Sequence, residues 1–246
     1  MPFDLGLGAA LWMAAAVFVA AFVRGYSGFG YSAMVIAASS VVTSPLNFVA
    51  VVVLLEFAMS VQAWRGAGPD VDWRRVGFLL AGAAVGLPLG LWALTAISED
   101  AARAVISAYV LAMCAVLLAG WRLRDQVRGP VNLGAGVVSG LANAPGMGGL
   151  PVAAFFAAQP IPAPVFRATL IAYFPILDVY SAPLYWAHGL VGWDTLWASL
   201  WALPLTILGN WLGGRHFFGT DPQEFRRMAI LLLAGLATLG LGKALF

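Results

Sequence analysis

Residues 131–158 read VNLGAGVVSGLANAPGMGGLPVAAFFAA, an apolar stretch interrupted at Asn143-Ala144-Pro145-Gly146. Asparagine can close a helix in the left-handed conformation, and proline cannot continue one. A new helix can start near Leu150, with Pro151 tolerated in its first turn. The two pieces, 131–143 and 150–158, are both shorter than the roughly 20 residues that cross a bilayer core. How often this stretch crosses decides how the rest of the chain is threaded.

That the bilayer is the solvent follows from composition. Of 246 residues, 62% are hydrophobic and 10% are charged, and the mean hydropathy is +0.89. Soluble domains carry about 25% charged residues, and a water-soluble fold could not hide this much apolar surface. The apolar runs fall at about 5–23, 28–43, 47–64, 76–97, 103–121, 131–143, 150–158, 164–187, 195–214 and 228–246.

Arginines orient these runs. Nine of the thirteen basic residues lie in three connections: Arg65, Arg74 and Arg75; Arg122, Arg124 and Arg128; and Arg215, Arg226 and Arg227. The positive-inside rule puts all three in the cytoplasm, with both termini outside. The second and third connections then agree only if 131–158 crosses an even number of times, as a down-and-back hairpin or as two short crossings.

The first half has the same build: 5–23, a break at Arg24-Gly25-Tyr26-Ser27-Gly28-Phe29-Gly30, then 28–43, Pro45 and the run 47–64. Ser44-Pro45-Leu46 is echoed by Ala163-Pro164-Val165, Trp73 by Trp193, and Gly86-Leu-Pro-Leu-Gly90 by Gly209-Asn-Trp-Leu-Gly213, at separations of 119, 120 and 123 residues. Each unit crosses an odd net number of times, so the halves are inverted relative to one another. The expected fold is an all-α integral membrane protein of two inverted repeats, residues 1–124 and 125–246, each a broken helical hairpin plus three transmembrane helices.

Other classes are disfavoured. The run 5–23 lacks a basic segment before it, so it reads as part of the mature fold and not as a signal peptide. Cys114 is the single cysteine, which excludes an intramolecular disulfide framework or a cysteine metal cluster. Neither cofactor nor metal is expected. A net charge of +2 spread over scattered arginines implies no nucleic-acid partner. Trp64, Trp73, Trp121, Trp186 and Trp193 lie at span ends, where indoles anchor in the interface. The small-residue stripes Gly82, Gly86, Gly90 and Gly209, Gly213 suit close helix packing within the chain or, alternatively, a homodimer contact.

Ionisable groups inside apolar runs are costly and therefore informative. They are Arg24, Glu56, Arg167 and Asp178. Arg167 follows Pro164 closely and can snorkel to the cytoplasmic interface. Glu56 sits in mid-span, either as a buried partner for an arginine or as a proton-linked group, and Asp178 has the same two readings. The two glycine-rich tips, Gly25 to Gly30 and Asn143 to Gly149, have the composition of anion sites, because helix N-termini present free N–H groups and glycine lets an anion approach them. If the hairpins enter from opposite faces, the tips meet near the midplane beside Arg24. The competing reading is that these glycines only allow tight helix crossing.

An enzyme of another class shares one short pattern. Gly25-Tyr26-Ser27-Gly28 resembles the nucleophile motif of rhomboid intramembrane proteases. Such a serine needs a histidine at about 3 Å, and His188 and His216 fall at opposite span ends.

The full set of motifs, Arg24-Gly-Tyr-Ser-Gly-Phe-Gly30, Gly140-Leu-Ala-Asn-Ala-Pro-Gly-Met-Gly-Gly149, a proline after each hairpin and Gly-x-x-x-Gly late in each half, resembles the TauE/SafE sulfite-exporter family over essentially the whole chain. The resemblance implies a multi-pass permease of the bacterial cytoplasmic (inner) membrane, whose partners are the lipid bilayer and a small anionic substrate such as sulfite, sulfoacetate or another organosulfonate. Permeases for carboxylates or inorganic ions are the alternative on the same fold. Carried over are the two tips, with the arginine and acid near them. The expected substrate-binding set is Arg24, Gly25, Ser27, Gly28, Gly30, Asn143, Gly146, Gly148 and Gly149, with Glu56, Arg167 and Asp178 as ion-pair or coupling residues. Asn143-Ala-Pro stands where the first half has Tyr26-Ser27, so the tips need not contribute equally. Export of an anion is favoured by an inside-negative potential and needs no coupling ion, whereas import would call on Glu56 or Asp178 as proton carrier.

Overall fold

The computed structural model describes residues 2–27, 30–64, 69–127, 129–216, 230 and 234–242, with Ser27, Ala63, Ala163, Arg167 and His216 described by their backbone alone. Every described element is helical. After a short turn at Pro2–Asp4 come α1 (Leu7–Ser27), α2 (Tyr31–Val42), α3 (Leu46–Trp64), α4 (Trp73–Thr95), α5 (Glu99–Ala119), α6 (Pro130–Asn143), α7 (Gly149–Ala157), α8 (Ala163–Ala187) and α9 (Trp193–His216). A further helical stretch covers 234–242.

Local chemistry sets the helix ends. Asp72 caps α4 by accepting from the Arg75 N–H at 3.1 Å, and Ser98 caps α5 by accepting from Ala101 N–H at 3.3 Å. Gly120 closes α5 in the left-handed region, at φ 62°. At the decisive break, α6 ends at Asn143 and α7 begins at Gly149, as expected from the sequence. The left-handed residue is Gly146, at φ 76°, and not Asn143. Glycine takes that conformation without a Cβ clash, so it relieves the asparagine of the task.

The two breaks are unequal. α1 runs through the expected boundary at residue 23 to Ser27 and has 21 residues, about 31 Å at 1.5 Å per residue. It is long and apolar enough to cross, as are α4, α5 and α8. By contrast α2, α6 and α7 have 12, 14 and 9 residues and are too short to span alone.

Glycine governs the closest helix pairs. Gly82, Gly86 and Gly90 of α4 lie on the backbone of α6 at Leu133, Val137 and Leu141, while Gly136 and Gly140 of α6 face Leu79 and Ala83 of α4. Likewise Gly209 and Gly213 of α9 lie on Phe18 and Phe22 of α1, and Gly25 of α1 on Asn210. A Cβ at any of these positions would overlap backbone atoms, so both stripes serve contacts inside the chain. Both sets of partners rise together in number, so α4 runs parallel to α6 and α1 to α9. Between these pairs, α3 packs against α8.

The outer faces carry exposed apolar side chains, among them Trp73, Trp121, Trp186 and Trp193 at helix ends, as suits interfacial indoles. One basic residue departs from its expected place as a loop charge. Arg75 is 5% exposed, pairs through Nε with Asp72 at 2.9 Å, and donates to Gln126 at 3.0 Å. Gln126 in turn donates to the Pro160 carbonyl, and Val127 N–H to Gln159. Arg75 therefore ties the α5–α6 connection to the start of α4, a role that charge counting cannot reveal.

Candidate functional site

Arg24 stands in the last turn of α1. A helical side chain leans back toward its own N-terminus, which carries the guanidinium away from the helix end and alongside α3. There Nη1 meets Glu56 Oε1 at 2.6 Å, and Nη2 donates to Ser60 Oγ at 3.3 Å. Glu56 and Ser60 are one turn apart and share a face of α3. Of the two readings of Glu56, the structure favours the partner for an arginine. The reading of Arg24 as one more loop charge does not hold, because its side chain is only 12% exposed.

Glu56 also faces the start of α2. Ser32, the second residue of that helix, turns its hydroxyl and backbone N–H toward the carboxylate. The positive end of α2 thus already has an internal anion beside it. Tyr31, one residue earlier, shares a hydrogen bond of 3.2 Å with Thr206 of α9.

The second tip is tied down by α8. Ser139 donates to the Gly148 carbonyl at 2.8 Å, which leaves Tyr173 as donor in the 2.8 Å bond between the two hydroxyls. The Tyr185 hydroxyl donates to the carbonyl of Asn143. Gly146 approaches Val49 and Val52 of α3, one turn from Glu56. Phe174 joins the two tips: the Arg24 guanidinium lies 6.0 Å from its ring centre, and a Cβ on Gly149 would lie 3.3 Å from the same ring. Arg24 and Gly149 of the second tip thus both approach one aromatic side chain.

The glycines divide by cause. Gly30 has φ 93° and open space where a Cβ would stand, so backbone conformation explains it. The missing side chain of Gly25 is accounted for by α9, and that of Gly148 by Ser139 and Asn143. Gly28, the side chain of Ser27 and the side chain of Arg167 lie outside the described residues. His188 is exposed at the end of α8 and its Nδ1 lies 2.8 Å from the Leu184 carbonyl of its own helix.

The two closest helix pairs also make like contacts. Phe18 and Phe22 lie on Gly209 and Gly213 as Val137 and Leu141 lie on Gly86 and Gly90. These partners are 119 residues apart, as are Arg24 and Asn143. Sequence reading missed this, along with Ser32, Ser60, Ser139, Phe174, Tyr173 and Tyr185. The spacing of Ser60 one turn after Glu56 was the available signal.

Two buried atoms lack partners in this region, Asn143 Nδ2 and Asp178 Oδ2. Each residue is 4% exposed. Among the described residues no three His, Cys, Asp or Glu side chains gather as metal ligands would. A groove of about 730 Å³ between the N-terminal turn, α1 and α9 has an apolar lining that includes Phe3, Met13, Trp197 and Trp201. It contains no residue of either tip, and nothing in it would hold an anion.

The family described as Sulfite exporter TauE/SafE matches this chain over residues 13–239. No curated protein and no solved structure matches it.

Proposed function

This chain belongs to the TauE/SafE sulfite-exporter family, and from that membership we propose that it moves a small sulfur-containing anion, sulfite or an organosulfonate, outward across the cytoplasmic membrane by alternating access. The family is one of membrane permeases, which fits a chain that transports and does not catalyse. The observation that carries the reading is the approach of both Arg24 and Gly149 of the second tip to Phe174.

An anion enters between these two arms. Arg24 spends one N–H on Glu56 and one on Ser60, and a guanidinium has five. The remaining donors and the unpartnered amide of Asn143 suit the oxygens of a sulfite or sulfonate group. The reciprocal packing of α1 on α9 and α6 on α4 supports a division into two inverted repeats, 1–124 and 125–246, which rock against each other about α3 and α8. A bare monoanion gains about 2.3 kcal/mol per 100 mV in leaving an inside-negative cell.

The test is radiolabelled flux in proteoliposomes of the purified protein, with sulfite, sulfoacetate and acetate side by side. Sulfite or sulfoacetate flux above that of protein-free vesicles supports the proposal. Acetate flux with both sulfur anions inactive transfers the chain to a carboxylate permease on the same fold.

A further inference from the structure

The two halves carry unequal charge at equivalent places. The first tip bears Arg24, and its acid, Glu56 of α3, is paired with it at 2.6 Å. The second tip bears Asn143 at the equivalent position. Its acid, Asp178, lies mid-way along α8, the helix packed on α3. Asp178 is 4% exposed, and its Oδ2 has no hydrogen-bond partner.

Among the described residues no cation near Asp178 is left over. The charged groups whose fields reach it are Glu56 of α3 and Arg24 of α1, and those two are engaged with each other. On its own helix the hydroxyls of Tyr173, Tyr180 and Tyr185 all donate elsewhere. The segments of α6 and α7 contain no ionisable residue, and α4 has only Arg74 and Arg75 in its first turn, of which Arg74 is exposed and Arg75 is committed to Asp72. Fully ionised, Arg24, Glu56 and Asp178 sum to one net negative charge inside the membrane, which is the expensive arrangement there. An incoming anion would add a second.

We propose that Asp178 carries one exchangeable proton that crosses the membrane together with each anion. The inference rests on the transport reading above and deepens it. Anion and proton favour each other's binding, because the anion repels an ionised Asp178 and leaves room for a protonated one. The loaded form, with anion and proton, and the empty form, with ionised Asp178, then carry the same net charge. The potential drops out of the cycle, and the combined gradient of anion and proton decides the direction.

The experiment uses the purified full chain in proteoliposomes, with radiolabelled sulfite and methanesulfonate, the latter a fixed monoanion at any usable pH. In wild type, an imposed pH gradient at zero potential drives accumulation, and a potassium diffusion potential at equal pH does not. Asp178→Asn loses the response to pH gradient and its residual flux follows the potential, while Asp178→Glu restores the pH response. Wild-type flux that follows the potential and ignores the pH gradient overturns the proposal, and so does flux driven by a sodium gradient at equal pH. Infrared spectroscopy gives a readout without transport: on adding methanesulfonate at neutral pH, the carbonyl band of a protonated carboxyl group is expected to appear in wild type and to be absent in Asp178→Asn. If none of the anions moves, the transport reading fails by itself, and the infrared band alone decides whether Asp178 holds a proton. A wild-type spectrum in which Asp178→Asn removes no such band overturns the proposal.

Discussion

Arg24 Nη1 lies 2.6 Å from Glu56 Oε1, joining the end of α1 to the middle of α3 through side chains that are 12% and 11% exposed. Removing one partner of such a pair leaves an uncompensated charge, at about 3–5 kcal/mol, whereas replacing both by apolar groups of similar size is often neutral. Arg24→Met is therefore expected to lower the melting temperature of the detergent-purified protein strongly, and Arg24→Met with Glu56→Leu to recover most of it. Flux separates folding from binding. The double variant should stay inactive, and Arg24→Lys, which keeps the charge but loses the fork, should bind more weakly than wild type but better than Arg24→Ala. A fully active double variant would show that the pair only holds the fold.

Two glycines on one helix give a paired control. A Cβ on Gly86 meets the backbone of Val137 and Leu141, and one on Gly77 meets nothing within 4 Å. Gly86→Ala forces α4 and α6 apart, an overpacking effect of about 1–3 kcal/mol. Gly77→Ala gains helix propensity, up to about 1 kcal/mol. Thermal melts should move in opposite directions, and equal shifts would contradict the described α4–α6 packing.

Sidedness is testable with single cysteines. Asp70→Cys and Asp125→Cys should be shielded from an impermeant thiol reagent added to intact cells, and Ile97→Cys and His188→Cys should be labelled. Cys114 is buried and contributes little background. Labelling at both 125 and 188 would break the even crossing of 131–158, because α8 alone then separates two positions on one side.

Ser27 is expected to be inert as a nucleophile. Of the two histidines, His188 is exposed at the end of α8 and directed to its own helix, and His216 ends α9. Ser27→Ala should reduce apparent substrate affinity by a few-fold and leave residual flux. Covalent labelling of wild type by a fluorophosphonate, absent in Ser27→Ala, would instead identify a protease.

The sequence by itself determined the class and the segmentation. Composition reports the solvent directly, because a chain with this little charge can bury its surface only in lipid. The break between Asn143 and Gly149 was legible because glycine and proline act on the backbone within a few residues of themselves. Arg24, Glu56 and Asp178 stood out for the same local reason, as charges in apolar runs. Tertiary structure alone decided what those residues meet. In a helix that is apolar all round, hydropathy does not mark which face packs inward, so the pairing of Arg24 with Glu56, the approach of Arg24 and Gly149 to Phe174 and the burial of Arg75 against Asp72 left no periodic trace. The glycine stripes could serve one chain or two until the crossings of α4 with α6 and α1 with α9 were seen. Those crossings depend on which turns touch and not on distance along the chain, so no spacing in the sequence revealed them.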